Sequence, residues 1–198
     1  MDDKIEFIYR DTNYKYCEEP GERTIEVPIA WNLLARCNYN FVLEVGNVMW
    51  HRAGRQYMKW HDVVDKYEVC PGIAENVDIM NYNTTRRYRL ILCISTIEHI
   101  GHDRTPYNPT KCLNAYDKMK SLLMPKGLLF ITWPFGYNRN IDDHFFNDMF
   151  DFDEVYFMKR ISEDNKWEEC SIEDAKVAKY NDPYPAGNVT IFGYHHKK

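Results

Sequence analysis

Continuous apolar runs that end in turn-forming residues recur along this chain. Strands covered by helices on both faces show such runs, because neither face meets water. The three strongest runs span residues 41–46, 88–96 and 128–134. Shorter runs predict further strands at residues 61–68, 153–158 and 189–194, and a brief strand or the end of one at 77–79. The last two of these form a predicted hairpin-like edge.

Several of the segments between these strands have apolar residues at helical spacing, which predicts helices there. Residues 25–36 show it, with Thr24 as the predicted N-terminal cap and Pro28 at a tolerated first-turn position. This helix either closes over a bound ligand as a lid or only covers the sheet. Residues 111–123 show an amphipathic pattern, and an acidic helical segment is predicted at 172–179. Alternating strands and helices predict an α/β fold.

Composition and charge narrow the class of protein. A length of 198 residues with 44% hydrophobic and 28% charged residues predicts one soluble globular domain over residues 1–198. The net charge of −5 argues against long nucleic acid as a partner, because the overall field repels a phosphate backbone. Apolar runs stay below the roughly 18 residues that span a bilayer, and no signal peptide is recognised. We therefore expect no membrane span and a cytoplasmic protein.

Six cysteines are spread along the chain without a C-x-x-C pair or a zinc-type spacing. We expect them to be reduced thiols that mostly pack in the interior. No metal site is predicted from them. A homo-oligomer is compatible with this sequence, which carries no pattern that defines one.

Polar residues at the carboxyl ends of predicted strands form the candidate site. Open α/β sheets bind small molecules at these ends, beside the point where strand order reverses. Glu44 and Gly46 end the first strand, and Asp65 ends the second strand about 20 residues later. An acid at that spacing is placed to accept hydrogen bonds from ribose hydroxyls. The loop after Gly46 lacks the further glycines of a dinucleotide fingerprint and lacks a P-loop, which argues against pyrophosphate binding.

The order of these motifs resembles that of the class I S-adenosylmethionine-dependent methyltransferases over roughly residues 24–135. Residues 41–47 are similar to the first motif of that family, and Asp65 falls at the position of its ribose-binding acid. Residues 88–99 resemble the fourth-strand signature of its small-molecule members, and residues 122–132 resemble the helix, turn and strand that follow. Short segments at 158–162 and 178–181 are similar to a small prokaryotic methyltransferase-like group often associated with surface-polysaccharide assembly.

This resemblance implies a Rossmann-like three-layer α/β sandwich. Its sheet is expected to have seven strands, mostly parallel with an antiparallel last strand, and helices on both faces. The implied organisation is an N-terminal lead-in at 1–24, the possible lid helix at 25–36, a cofactor-binding core at 41–134 and a substrate-side region at 135–198.

The resemblance further implies S-adenosylmethionine as the cofactor, with S-adenosylhomocysteine as product. The residues expected to contact it are Glu44, Gly46, Asn47, Asp65, Lys66, Asp78, Ile79, Ser95 and Thr96. The chain departs from the family pattern at Asn47, where a further glycine is usual. The Asn47 side chain either narrows the space for the methionine tail of the cofactor or replaces a backbone contact with an amide contact.

Methyl transfer from a sulfonium is an in-line displacement, so the protein aligns the acceptor and, for an oxygen or nitrogen acceptor, removes a proton. His99 is the candidate base because imidazole titrates near neutral pH. Glu98 is a second candidate and His102 a weaker one, and His99 could instead only pack within its turn. A metal site formed by Glu98, His99, His102 and Asp103 is conceivable by ligand type. Adjacent residues on one short loop rarely all point at one metal ion, so no metal is predicted.

The predicted function is methyl transfer to a small-molecule or sugar-like acceptor. The main alternative is a catalytically degenerate cofactor-binding or interaction module with the same fold, which the altered turn at Asn47 favours. A nicotinamide-dependent oxidoreductase would use Asp65 equally well but needs the missing phosphate glycines. An RNA methyltransferase would need a basic face.

Residues 182–185 contain a scrambled version of the Asp-Pro-Pro-Tyr motif of nucleic-acid amino methyltransferases, and we interpret them as a proline-punctuated loop.

Overall fold

The computed structural model describes residues 21–37, 40–53, 61–69, 75–104 and 106–198. Most of the predicted lead-in at 1–24, together with Cys17 and Cys70, lies outside these residues. The cysteines that are described, Cys37, Cys93, Cys112 and Cys170, are free thiols. Across the described ranges, no helix combines the length and the apolar character that crossing a membrane would require.

Seven strands in the described ranges form one sheet. They are β1 (Val42–Val45), β2 (His61–Val64), β3 (Tyr88–Ile94), β4 (Leu123–Pro134), β5 (Glu154–Arg160), β6 (Trp167–Glu169) and β7 (Val189–His196). Their order across the sheet is β2-β1-β3-β4-β7-β5-β6. Strands β2, β1, β3 and β4 are parallel, whereas β7 runs antiparallel to both β4 and β5. The prediction of a mostly parallel sheet with an antiparallel last strand is confirmed.

The helices lie on both faces of the sheet, as predicted. They are α1 (Arg23–Arg36), α2 (Val48–Ala53), α3 (Lys111–Leu122), α4 (Arg139–Phe146) and α5 (Ile172–Lys176). Successive side chains of a strand point to opposite faces. Accordingly, Leu43 and Val45 join the core that contains α3, whereas Val42 joins the core that contains α1. Both cores are therefore built from the same strands.

Helix α1 begins one residue earlier than the predicted cap. Glu22 occupies the N-cap position, so Thr24 lies inside the helix and the predicted Thr24 cap is wrong. Pro28 also lies beyond the first turn. The helix tolerates it there, and the side-chain amide of Asn32 donates to the Pro28 carbonyl at 3.2 Å. Helix α1 packs against β3, which places its N-terminal turn over the carboxyl end of the sheet.

The strand predicted at residues 77–79 is wrong. The Asp78 carboxylate accepts the amide N–H of Met80 at 3.1 Å and caps a short 3-10 turn at Ile79–Asn81. Such a local side-chain bond competes with strand pairing. One isolated parallel bridge, between Val64 and Glu75, remains at this edge. The seventh strand is instead β6, which pairs with β5 and whose three residues are too few to produce a pattern.

Candidate active site

A cleft of about 350 Å³ opens at the carboxyl ends of β1 and β2. Strand β2 lies on one side of β1 and β3 on the other, so strand order reverses here, which is where open α/β sheets bind ligands. The structure brings eight of the eleven predicted site residues to this cleft: Gly46, Asn47, Asp65, Lys66, Asp78, Ile79, Thr96 and His99.

Gly46 turns the chain at the end of β1 with φ of +87°, a conformation that side chains rarely adopt. A Cβ atom at this position would lie 2.2 Å from Oγ1 of Thr96. The Gly46 amide also donates to the carbonyl of Val64 at 2.9 Å. The turn therefore rests directly on the ends of β2 and β3, and glycine is required for that close approach.

Asp65 follows β2 and lines the cleft with a partly exposed side chain. Its Oδ1 atom accepts the amide N–H groups of Tyr67 at 2.7 Å and Glu68 at 2.8 Å. These bonds fix the orientation of the carboxylate, and Oδ2 has no hydrogen-bond partner among the described residues. A carboxylate held in this way can accept hydrogen bonds from ligand hydroxyls.

Asp78 is the second acid of the cleft, and two lysines balance its charge. Lys111 Nζ donates to Oδ2 of Asp78, and Lys66 Nζ lies 3.3 Å from the same atom. Burial opposes ionisation of Asp78, but the bonds from Lys111 and from the Met80 amide outweigh it and hold the pKa below its usual value. The carboxylate is therefore charged at neutral pH.

Asn47 is almost fully buried, and its side chain links two loops of the cleft. Its Nδ2 atom donates to Oε1 of Glu68 at 2.8 Å, and the same carboxylate oxygen lies 2.6 Å from Nε2 of His51. The amide that replaces the usual glycine thus ties the turn after β1 to the loop after β2.

Two predicted cofactor residues lie behind the cleft wall rather than on it. Glu44 is fully buried, accepts the amide N–H of Met49 at 2.6 Å and lies 3.3 Å from Nε2 of His61. Ser95 is buried and donates its hydroxyl to Oε1 of Glu26 at 2.6 Å. Their side chains support the turns that form the wall.

His99 also lines the cleft, with 41% of its side chain exposed. Its Nδ1 atom lies 2.5 Å from Oδ2 of Asp103, and the hydroxyl of Tyr137 donates to the same carboxylate at 3.2 Å. The Nε2 atom lies 3.6 Å from Oε1 of Glu98. Asp103 therefore orients the imidazole, and Nε2 is the ring nitrogen that does not contact Asp103.

Glu98 lies outside the cleft lining and is almost fully buried. Burial raises the pKa of its carboxyl well above the usual value. Its Oε2 atom is buried and has no hydrogen-bond partner among the described residues. Asn138 fixes the backbone beneath it by donating its side-chain amide to the Glu98 carbonyl at 2.7 Å.

The first turns of α1 add charged residues next to Glu98. Glu26 is fully buried, and its Oε1 accepts the hydroxyls of Ser95 and Thr132, both at 2.6 Å. Its other oxygen accepts a bond from the Arg23 guanidinium. Burial opposes the charge of Arg23, but the surrounding glutamates outweigh it and raise the pKa of that side chain. We name Glu22, Arg23, Glu26 and Glu98 the glutamate cluster.

Sequence reasoning named only Glu98 of this cluster and missed several residues of the cleft. The cleft residues not predicted include Tyr67, Glu68, Arg104 and Lys111, and Asp103 was named only as a conceivable metal ligand. The available signal for the cluster is the presence of charged residues within the apolar stretch of α1. In the described ranges, no three His, Cys, Asp or Glu side chains are grouped as in a metal site.

Comparisons with known proteins give structural similarity only. No family model and no curated protein sequence matches this chain. The structure of N-methyltransferase NodS from Bradyrhizobium japonicum WM9 in complex with S-adenosylhomocysteine is similar, with a TM-score of 0.54 and 13% identity, over 98% of this chain and 96% of that chain. A SAM-dependent methyltransferase from Archaeoglobus fulgidus gives a TM-score of 0.51 and 13% identity, over 85% and 93%. The chain therefore has the fold of the class I S-adenosylmethionine-dependent methyltransferases, as its motifs indicate.

Proposed function

We propose that the chain binds S-adenosylmethionine in the cleft and transfers its methyl group to a small-molecule or sugar-like acceptor. The observation that carries this proposal is the arrangement at the strand reversal, where Asp65 follows β2 and Gly46 packs on Thr96. The similarity of the fold to that of NodS, which was crystallised with S-adenosylhomocysteine, supports the same cofactor.

The residues of the cleft fit this cofactor. Asp65 presents Oδ2 to the ribose hydroxyls, while Asp78 and Ile79 meet the adenine at the lysine-balanced side of the cleft. The turn at Gly46 has no Cβ, so the amino-acid part of the cofactor can approach the backbone closely. Glu44 and Ser95 act indirectly, by holding the turns on which these contacts depend.

The acceptor side lies at the other end of the cleft. The bound cofactor would supply an electrophilic methyl group, and the chain must align the acceptor and take up its proton. We assign the base to Nε2 of His99, because Asp103 occupies Nδ1. In this arrangement residues 41–134 form the cofactor side, and α1 together with residues 135–198 forms the acceptor side.

A second candidate is a module with the same fold that binds the cofactor without turnover. The position of Asn47 favours it, because this side chain lies in the wall of the cleft where the family usually has a glycine. Catalytic turnover with any acceptor would exclude this candidate.

Calorimetric titration with S-adenosylmethionine and S-adenosylhomocysteine tests the proposal. We expect micromolar binding, weakened roughly tenfold by Asp65→Asn, because a hydrogen bond to a charged group contributes about 1.5 kcal/mol. Asp62→Asn is the matched control, since Asp62 lies on the same edge strand and pairs with Arg86 at the opposite end of the sheet. Absence of binding, or binding of NADH in place of both sulfur compounds, would overturn the proposal.

A further inference from the structure

A contact between two loops crosses the mouth of the cleft. The guanidinium carbon of Arg104 lies 4.0 Å from the centroid of the Tyr67 ring. Tyr67 belongs to the loop after β2, and Arg104 follows β3 and the short helical turn at Ile97–His99. Because β1 lies between β2 and β3 in the sheet, this contact spans the carboxyl end of β1. We name it the Tyr67–Arg104 bridge.

The bridge lies on the solvent side of the cleft. Both of its side chains line the cleft and are exposed, Tyr67 to 51%. Val45 and Gly46 line the same cleft from the end of β1, and both are buried. A ligand in contact with the Gly46 turn therefore lies between the sheet and the bridge.

The two ends of the bridge are held differently. The backbone at Tyr67 is fixed, because its amide N–H donates to Oδ1 of Asp65 at 2.7 Å. The Arg104 side chain makes no ion pair or hydrogen bond within the described ranges, so the Tyr67 ring is its partner there. The neighbouring carboxylate of Asp103 is engaged by His99 instead. Arg104 is therefore the end that can leave.

The bridge is weak enough to open without unfolding. A cation over an aromatic ring at an exposed site favours the closed form by only about two- to fivefold. The bridge is therefore closed most of the time and opens spontaneously.

We propose that the Tyr67–Arg104 bridge gates the cleft. S-adenosylmethionine enters and S-adenosylhomocysteine leaves while the bridge is open, and the bridge forms again over the bound ligand. This inference rests on the proposed cofactor, and it gives Tyr67 and Arg104 a role in cofactor exchange.

A gate differs kinetically from a binding contact. The bridge is the same in the free and the bound protein, so weakening it multiplies the association and dissociation rate constants by the same factor and leaves Kd unchanged. A side chain that only holds the ligand acts mainly on dissociation. A side chain that occupies the place of the ligand slows association alone.

Stopped-flow fluorescence of S-adenosylhomocysteine binding measures both rate constants. Arg104→Met keeps the length of the side chain without its guanidinium, and we expect both constants to rise about threefold with Kd unchanged within about 1.5-fold. Arg87→Met is the matched control, because Arg87 is exposed at the opposite end of the sheet and should change neither constant. A rise in only one constant, or in neither, would overturn the inference.

Substitutions at Tyr67 test whether the two side chains act as one contact. Tyr67→Leu should reproduce the effect of Arg104→Met, whereas Tyr67→Phe keeps the ring and should stay close to the wild type. The double variant Tyr67→Leu/Arg104→Met should be no faster than either single variant, because each removes the same interaction. Additive acceleration in the double variant would contradict a bridge between them.

The bridge can also be observed without a ligand. Nuclear Overhauser contacts between the ring protons of Tyr67 and the side chain of Arg104 should appear in spectra of the free protein. Their absence would overturn the inference even if S-adenosylhomocysteine binds. Absence of S-adenosylhomocysteine binding while these contacts are present would refute the proposed function instead.

Discussion

Carboxyl groups occupy two different environments in this molecule, the cleft and the glutamate cluster. In the cleft, Asp65 and Asp78 are partly exposed and are bonded to backbone amides or lysines. In the glutamate cluster, Glu26 and Glu98 are buried, and Arg23 supplies the single guanidinium. Asp78 therefore keeps its charge through its lysine partners, whereas burial raises the pKa values of Glu26 and Glu98.

This difference has an energetic basis. An exposed carboxylate that is bonded to amides costs little and recognises hydroxyls by geometry. A buried carboxyl group interacts more strongly with its neighbours and costs more when a partner is lost, because solvent no longer screens it. Substitutions that break hydrogen bonds or the ion pair should therefore act most strongly in the cluster, and substitutions that alter backbone shape should act most strongly in the cleft.

The largest expected effect comes from breaking the ion pair between Arg23 and Glu26 at the start of α1. Glu26→Gln leaves the Arg23 guanidinium without its carboxylate, and we expect a loss of roughly 3 kcal/mol in the free energy of unfolding by urea. Glu173→Gln is the control, because Glu173 forms an exposed pair with Lys176 on α5 and should change stability by less than about 0.5 kcal/mol. Equal losses in the two variants would show that burial of the cluster does not matter.

The next effect concerns Asp142, a buried acid that has hydrogen-bond donors but no ion pair among the described residues. Burial raises the pKa of Asp142 from 3.8 to about 6, although Gly136 and Trp133 donate to it. The folded state therefore binds the proton more tightly than the unfolded state, and this contribution to stability is lost as pH rises from about 4 to 6. Relative to Asp142→Asn, the wild type should lose about 2 kcal/mol across that window. Parallel unfolding profiles at pH 4 and pH 7 would contradict the raised pKa.

Backbone shape at the cofactor end is tested by Gly46→Ala. The new Cβ would clash with Thr96 and hold a left-handed backbone, so we expect a loss of about 1.5 kcal/mol in stability and a fall in S-adenosylhomocysteine affinity of roughly tenfold. The matched control is Gly21→Ala, whose Cβ would meet Ala186 at an ordinary 3.4 Å. Retained affinity in Gly46→Ala would place the cofactor away from this turn.

The smallest expected effect concerns Asn47. Asn47→Gly restores the usual family residue but removes the amide that holds Glu68, and we expect S-adenosylhomocysteine affinity to fall about fivefold, or about 1 kcal/mol. Tighter binding in this variant would show that the side chain obstructs the cofactor instead of organising the loops.

Sequence patterns predicted the central strands and the cleft because both depend on neighbouring residues. Strand β3 is a continuous apolar run, and Asp65 stands directly after β2. The glutamate cluster depends on partners far apart in the chain: Glu26 lies 69 residues from Ser95 and 106 residues from Thr132. No local pattern encodes such pairs. The false strand at residues 77–79 has the reverse cause, since one side-chain bond of Asp78 overrides a weak apolar signal.

The most direct measurement is a crystal structure of the chain with S-adenosylhomocysteine. The account predicts ribose hydroxyls within hydrogen-bond distance of Asp65 and a sulfur atom at the end of the cleft that Thr96 and His99 line. Density for the ligand in the cavity at the opposite end of the sheet, beside Phe41 and Arg87, would contradict it. So would a reversed orientation, with the adenine against His99.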